Sequence, residues 1–540
     1  MRVLGINAIF HDSAAALVVD GEIVAAAEEE RFSRRKHGKR PVPFSAWEQP
    51  EQAAAWCLAQ AGLTAADLDA VGYSYDPAQV DHALGGLDPS WEPLRTRFAE
   101  RAPHFLASAL PGLDPAKVRF VRHHVAHAAS CGLAAPFGDA AVLTLDGRGE
   151  STSMLAGEYR DGKLDVLATQ RLPHSLGLMY EDLTTHLGFA RSSDEYKVMA
   201  LASYGKPRFL DSLRERVYST GDGGFRTEPI DWDSYAPRRA PAEEMRPEHA
   251  DLAASVQLRL QEVLLELCRW LHSETGADKL TLAGGIALNC VANTTLYNEG
   301  PFDDIWVQPA AGDSGTALGA ALTLAAESGE PAGPMTTAAL GRGFSDAELE
   351  QTLREAHIRY ERPADLAGTV AAALADNDVV AWFQGRAEFG PRALGYRSLL
   401  AHPGHAANLE RLNAVKGREQ FRPVAPMVLA ERAAEIFSRG PLPSPYMLFV
   451  HDVAPEWRDR LPAVTHVDGT ARIQTVDRAD HPLLADTIAR FGERTGLPVV
   501  VNTSLNTAGR PMVDSPRDAL ECFGSAPVDL LVLGPFVVRR

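Results

Sequence analysis

His123 and His127 stand four residues apart in VRHHVAHAAS, a run beginning at Val121 that holds no Gly or Pro and is closed by Pro136. Good helix formers without a breaker predict a single helix. A spacing of four sets the two imidazoles one turn apart on one face, while His124 points about 100° away. Two imidazoles so placed can share a divalent cation. A partly exposed helix that carries histidines and no ligand also fits these residues, so the pair alone leaves both readings open.

The C-terminal half gathers cations in short loops. QGRAEFGPRALGYRSLL carries Arg386, Arg392 and Arg397; AVKGREQFRPVAPMVL carries Lys416, Arg418 and Arg422; VNTSLNTAGRP adds Asn502, Ser504 and Asn506. Arginine forks grip phosphate in bidentate fashion and lysine acts as a point charge. These cations alternate with Gly, Pro and aromatic residues and not with glutamates, which predicts loops lining an anion pocket. Near the N-terminus, RFSRRKHGKR places Arg31, Arg34, Arg35, Lys36, Lys39 and Arg40 within ten residues. Most of that run is expected to be a solvated loop, with one member reaching a nucleotide cleft, because the run directly follows a hairpin.

The elements that must position these groups follow a repeated plan. RVLGINAIFHDSAAALVVDGEIVAAAEEERFS reads as a strand, a polar turn and two strands joined at Asp20-Gly21. AVLTLDGRGESTSMLAGEYRDGKLDVLATQRLP repeats the plan, with its hairpin at Asp161-Gly162. Asp-Gly between apolar runs signals a type I′ turn, which needs positive φ at both central residues. The repetition predicts a duplicated unit resembling the actin-like, sugar-kinase-like ATPase fold, whose two turns face each other across a cleft and hold nucleotide phosphates. In LTLAGGIALNCVANTTL a strand runs through Gly284-Gly285 into a helix, where backbone amides could approach a phosphate or ribose. GDSGTALGAAL then sets Asp313 at the head of a small-residue helix. ESGEPAGPMTTAALGRGFS reads as a linker. Beyond it VVAWF, LPVVV and LLVLG alternate with helices, predicting an α/β domain over 346–540 after a first domain over 1–335.

Bulk properties narrow the function classes. A chain of 540 residues exceeds what one core organises, so at least two domains are expected. The net charge of −18 argues against nucleic acid or an anionic membrane as the main partner. Five cysteines without a C-x-x-C pair fit reduced thiols and exclude a zinc ribbon. MRVLGINAIF meets His11 and Asp12 too soon for a secretory apolar core, and no apolar stretch approaches the roughly 20 residues that span a bilayer. The expectation is a cytoplasmic protein, with a homodimer as a possible assembly.

Taken together, GINAIFHDSAAALVVDG, AEEERFSRRKHG, HHVAHAAS, LTLDGRGE, HSLGLMYEDLTTHLGF, EYKVMALASYG, AGGIALN, GDSGTALGAAL, FGPRALGYRS, VKGREQFRPVAP, HVDGTARIQTV and VNTSLN resemble, in matching order, the O-carbamoyltransferase family of nodulation and of cephamycin and tobramycin tailoring. The resemblance implies a first domain like the universal tRNA threonylcarbamoyl-transferring protein and a second like its adenylate-forming, threonylcarbamoyl-AMP-synthase-like companion. It implies that carbamoyl phosphate and ATP with Mg²⁺ yield carbamoyladenylate in the second domain, and that the carbamoyl group moves to an alcohol in the first. The metal, usually Fe(II), is then expected on His123, His127, Asp146 and Asp313.

On the same reading His11 is the proton acceptor for the attacking hydroxyl, and Asp12, Asp194 and Lys197 border the acceptor. Lys36, Gly147, Arg148, Gly284, Gly285 and Asn289 are expected on the acyl-adenylate. Lys416, Arg418 and Arg422 are expected on carbamoyl phosphate and the ATP phosphates, with Lys416 and Arg422 catalytic and Arg392, Arg397, Ser504 and Asn506 completing the pocket. The compact loop NAIFHD predicts a differently shaped acceptor site, so the acceptor's identity does not carry over. A small-molecule hydroxyl, on a natural product or a sugar, is the expected acceptor. Threonylcarbamoyl transfer to tRNA by a fused protein and a non-catalytic actin-like nucleotide-binding scaffold are the alternatives. The acidic balance opposes the first, and the histidine pair and cationic second domain are unexplained by the second.

Overall fold

The computed structural model describes residues 1–38, 48–81 and 91–540. The chain forms two compact units, Met1–Thr337 and Ala338–Arg540.

In the first unit β1 (Arg2–Asn7), β2 (Ala14–Val19) and β3 (Glu22–Glu28) make an antiparallel meander, and β4 (Ala70–Tyr73) and β5 (Val118–Phe120) continue it parallel to β1. The sheet order is β3-β2-β1-β4-β5. The second sheet repeats this with β6 (Ala140–Leu145), β7 (Thr152–Arg160), β8 (Lys163–Arg171), β9 (Lys279–Ala283) and β10 (Asp304–Val307), ordered β8-β7-β6-β9-β10. The senses match as well: β6 is antiparallel to β7 and parallel to β9. Both hairpins turn at residues of positive φ, 51° and 83° at Asp20 and Gly21, 49° and 72° at Asp161 and Gly162, as type I′ turns require. The unit is therefore a duplicated actin-like domain.

The helices that bear on its site are α1 (His123–Gly132), α2 (Leu176–His186), α3 (Glu195–Ala202), α4 (Pro247–Thr275), α5 (Cys290–Glu299) and α6 (Ser314–Glu327). Helix α6 packs on β1 and β2 of the first sheet and on α1, and α1 packs on β6 and β9 of the second. An apolar surface all round is what a helix buried on every side requires, and SGTALGAALTLAAE supplies it. Contact is very close: a Cβ on Gly5 would lie 1.8 Å from the Ala317 oxygen, and one on Gly319 would lie 1.7 Å from the Ala126 oxygen. The small residues of α6 thus fix how near it comes to α1.

The second unit is built on a seven-stranded mixed sheet. Its strands are β11 (Val380–Phe383), β12 (Arg397–Ala401), β13 (Ala425–Leu429), β14 (Gln474–Val476), β15 (Val499–Ser504), β16 (Leu530–Leu533) and β17 (Phe536–Arg539), in the order β14-β13-β15-β12-β11-β16-β17. Near-continuous apolar runs in β11 and β16 follow from burial of both faces.

The expected linker is tethered over much of its length. Gly333 N–H donates to Gly21 O at 2.9 Å and Met335 N–H to Ala134 O at 2.8 Å, whereas Gly341 N–H donates to Ala387 O at 2.9 Å within the second unit. Backbone groups that Gly and Pro leave exposed are satisfied here by existing carbonyls. Among the described residues no helix is long and apolar enough to cross a membrane.

Candidate active site and metal centre

Helix α1 begins without a capping side chain of its own. Glu150, from the turn after β6, accepts the His123 amide at 2.8 Å and the Asp76 amide at 2.8 Å. A carboxylate at a helix N-terminus satisfies orphan amides and the helix dipole together, and it sets where His123 begins the helix. The Nε2 atoms of His123 and His127 both lie 3.1 Å from Asp146 Oδ2 and 3.6 Å from Asp313 Oδ1. Asp146 directly follows β6, and Asp313 stands at the head of α6. One ligand atom from each of the four lies within 4.8 Å of the others.

The four are buried, and neither Asp313 oxygen has a hydrogen-bond partner among the described residues. A buried, unpaired carboxylate is costly. Burial, reinforced by the neighbouring Asp146 charge, pushes the Asp313 carboxyl up. Burial would do the same to Asp146, but hydrogen bonds from His123 and His127 hold it well below the usual carboxylate range. Burial lowers the His123 imidazole, and the Asp146 and Asp313 carboxylates outweigh that and raise it to about 9. This concentration of negative charge around two imidazoles fits a divalent cation, and two nitrogens with two oxygens suit iron, zinc or manganese. His124 is outside this group; its Nδ1 lies 3.1 Å from Thr152 Oγ1.

A cavity of about 140 Å³ opens beside the four, lined by Phe10, His11, Asp146, Gly147, Arg148, Leu178, Glu181, Arg191, Ser192 and Asp313. His11 presents Nε2 at 3.7 Å from Asp313 Oδ2, and its Nδ1 lies 2.9 Å from Asp12 Oδ2. Asn7 Nδ2 donates to the carbonyls of His11 and Asp12, both at 3.0 Å, and so shapes the turn. Arg148 extends over Phe10, 5.5 Å from the ring centroid. Asp194 and Lys197 form an ion pair at 3.0 Å, and Asp194 Oδ2 accepts the Ala190 amide at 3.1 Å. That pair supports the loop from which Arg191 and Ser192 reach the cavity.

Glu181, Arg191 and Ser192 were not marked by the sequence. Arg191 Nε donates to Glu181 Oε2 at 2.7 Å, and Ser192 Oγ to Glu181 Oε1 at 3.1 Å. The signal lay in the polar residues of LMYEDLTTHLGFARSSDEYK, a stretch whose apolar spacing alone predicts an ordinary helix pair.

Several expected nucleotide ligands are placed otherwise. Lys36 is exposed, and the ring turned inward is that of the next residue, His37, whose Nδ1 lies 2.8 Å from Asp12 Oδ1. Lys39 and Arg40 lie outside the described residues. The Gly284 amide is spent on Ala311 O at 2.8 Å, and a Cβ there would meet Leu145 O at 2.0 Å, so this glycine serves close packing. Gly285 faces Asp146, whose Oδ1 would lie 3.0 Å from its Cβ. The Gly147 amide likewise donates to Asp146 Oδ1 at 2.7 Å. Asn289 caps α5 through the Ala292 amide at 3.1 Å and pairs with Gln257, leaving its amide group engaged.

In the second unit Lys416, Ser504 and Asn506 meet. Lys416 follows α7 (Ala407–Val415), and its Nζ donates to Ser504 O at 2.6 Å, to Ser504 Oγ at 2.8 Å and to Asn506 Oδ1. Arg418 Nε donates to Asn413 Oδ1, whose Nδ2 donates to Arg422 O at 3.1 Å. Arg392 is half-buried in the loop before β12. Arg397 corrects the phosphate reading. It is fully buried, it donates to Gln384 O at 2.6 Å and to Arg342 O at 2.8 Å, and its guanidinium lies 3.7 Å from the Phe383 ring centroid. Its donors hold backbone carbonyls together and are not turned to a ligand. Arg472, in HVDGTARIQTV, was not singled out; it is half-buried, with a buried Nε that has no hydrogen-bond partner among the described residues.

Family comparison matches most of both units. Residues 2–110 and 108–322 match the carbamoyltransferase N-terminus, and residues 371–540 match the carbamoyltransferase C-terminus. The chain belongs to the carbamoyltransferase family. It is 40% identical to nodulation protein NolNO of Sinorhizobium fredii over 559 residues, covering 99% of this chain and 80% of that protein. Against nodulation protein NolO of Bradyrhizobium diazoefficiens the identity is 40%, over 78% of this chain and 79% of that one. Among solved structures, HypF of T. kodakarensis aligns with a TM-score of 0.33 at 15% identity, covering 62% of this chain and 49% of that one.

Proposed function

We propose that the chain is an ATP-dependent O-carbamoyltransferase acting in two steps. In the second unit water attacks the carbamoyl carbon of carbamoyl phosphate and phosphate leaves, and an oxygen of the resulting carbamate attacks the α-phosphorus of ATP, displacing pyrophosphate to give carbamoyladenylate. In the first unit the oxygen of an alcohol attacks the carbamoyl carbon, the bond from that carbon to the adenylate oxygen breaks, and AMP leaves. The acceptor is a small-molecule hydroxyl, on a natural product or a sugar, and the reducing cytoplasm is the setting that five free cysteines support.

The observation that carries the reading is His11, which borders the cavity beside the four buried ligands and has its Nδ1 against Asp12. A carboxylate accepts, so that nitrogen carries a proton, and in the neutral ring Nε2 keeps its lone pair. Nε2 then takes the proton of the attacking hydroxyl. Arg148 and Arg191 border the same cavity and supply positive charge to the adenylate phosphate. Fe(II) or another divalent cation held by His123, His127, Asp146 and Asp313 would supply Lewis acidity to phosphate oxygens and stabilise charge on the departing AMP. In the second unit Lys416, steadied by Ser504 and Asn506, binds phosphate as a point charge, and Arg418, Arg422 and Arg392 are the further phosphate ligands of this reading.

The test uses purified protein, ATP, Mg²⁺, labelled carbamoyl phosphate and a panel of hydroxylated small molecules. Label is expected in an acceptor and is expected to be lost in His11→Ala. A requirement for threonine and bicarbonate in place of carbamoyl phosphate, with label entering tRNA, would replace this reading with threonylcarbamoyl transfer.

A further inference from the structure

We infer that His37 is a positioning residue that sets the tautomer of His11 through Asp12 and ties it to the loop bearing Ser192. The inference rests on the reading of His11 as the proton acceptor. Asp12 stands between two imidazoles, with Oδ2 2.9 Å from His11 Nδ1 and Oδ1 2.8 Å from His37 Nδ1. Carboxylate oxygens accept, so both rings present Nδ1–H to Asp12, and in its neutral form each ring has its lone pair at Nε2. His11 Nε2 lies 3.7 Å from Asp313 Oδ2 at the cavity wall, and His37 Nε2 lies 3.1 Å from Ser193 Oγ. Ser193 adjoins Ser192 of the cavity wall, so the hydrogen-bonded chain reaches from the wall to the base.

His37 is also held by its backbone. Its N–H donates to Glu30 Oε2 at 2.8 Å, and its carbonyl accepts from the Asp12 amide at 3.1 Å. Its φ is 60°, a left-handed conformation that Gly adopts without steric cost and Asn tolerates well. The imidazole at this position uses both of its nitrogens, Nδ1 toward Asp12 and Nε2 toward Ser193. During transfer the hydroxyl oxygen bonds to the carbamoyl carbon, its proton passes to His11 Nε2, and AMP departs with the electrons of the broken carbon–oxygen bond. A His11 ring in the other tautomer would offer N–H to that hydroxyl and could not take the proton. Without His37, one oxygen of Asp12 loses its partner, and the carboxylate is free to rotate away from His11 Nδ1.

The experiment is long-range ¹H–¹⁵N spectroscopy of ¹⁵N-histidine-labelled full-length protein loaded with diamagnetic Zn²⁺, with His11 signals assigned by their loss in His11→Ala. The wild type is expected to show one His11 tautomer, protonated at Nδ1. His37→Ala and His37→Gly, the latter easing the backbone, are expected to show mixed tautomers with the rest of the spectrum retained. His37→Asn, which keeps a donor toward Asp12, is expected to restore the single form. AMP release from carbamoyladenylate with water as the acceptor should fall roughly 10- to 100-fold in the Ala and Gly variants and recover in Asn. An unchanged His11 spectrum in both Ala and Gly, or an Asn variant no better than Ala, would overturn the role of His37. The spectroscopic arm needs no turnover, so failure of the carbamoyl-transfer reading would show as missing AMP with the tautomer effect intact.

Discussion

His123 and His127 direct their Nε2 atoms at the same oxygen of Asp146, each from 3.1 Å. Two imidazoles converging on one carboxylate oxygen, with both Asp313 oxygens alongside and without hydrogen-bond partners among the described residues, form a charge arrangement that a cation completes. His123→Ala, His127→Ala and Asp313→Asn are each expected to lose stoichiometric divalent metal. The loss of affinity should exceed the roughly 10- to 100-fold typical of outer-shell changes, as measured by elemental analysis and competition with a chelator.

Metal binding and helix packing are linked through Gly319. Its missing Cβ lets α6 approach α1, with the Ala126 oxygen where that carbon would stand. Gly319→Ala is expected to destabilise the protein by roughly 1–3 kcal/mol through overpacking. It should also weaken metal binding, because α6 carries Asp313 at its head and α1 carries His127. Thermal melts with and without added metal check both parts.

Arg397 and Lys416 should separate stability from chemistry. Arg397→Ala leaves several buried carbonyls without donors and is expected to cost on the order of 2–4 kcal/mol of stability. Lys416→Ala, at a half-buried loop position, is expected to leave the melting temperature nearly unchanged and to abolish pyrophosphate formation. Chemical denaturation together with a pyrophosphate assay distinguishes the two outcomes.

The contrast between these cations also marks how far the sequence could be read. Both Asp-Gly hairpins, and hence the duplication, were legible because only a few residue types accept positive φ at two successive positions. The histidine pair was legible from its spacing of four. Asp146 and Asp313 were not legible from spacing, since a strand end and a helix start far apart in the chain meet only once two sheets close around α1 and α6. Arg397 looks like its neighbours in a Gly-rich run of cations, and only its register on a fully buried strand turns its donors inward. Lys36 and His37 are adjacent, and the left-handed turn at His37 decides which of them faces the site.

Glu29 should give a pH-dependent stability away from the site. Burial pushes its carboxyl up to about 7, against hydrogen bonds from the Ala53 and Gln52 amides that lower it. An acid whose pKa is higher folded than unfolded favours the folded state when protonated. Its contribution is therefore greatest below about 4.5 and is lost as pH rises toward 7. The wild type is expected to lose on the order of 2–3 kcal/mol across that window relative to Glu29→Gln. Denaturant midpoints for the two proteins at pH 5 and pH 8 provide the check.

Carbamoyladenylate formation in the second unit must release pyrophosphate, and that release is the measurement to make. Metal-loaded protein is incubated with ATP, Mg²⁺ and carbamoyl phosphate, alone and with the acceptor panel, beside Lys416→Ala. Pyrophosphate that depends on carbamoyl phosphate and disappears in the variant is the predicted result. Pyrophosphate absent under every condition, or formed equally without carbamoyl phosphate, would contradict the account.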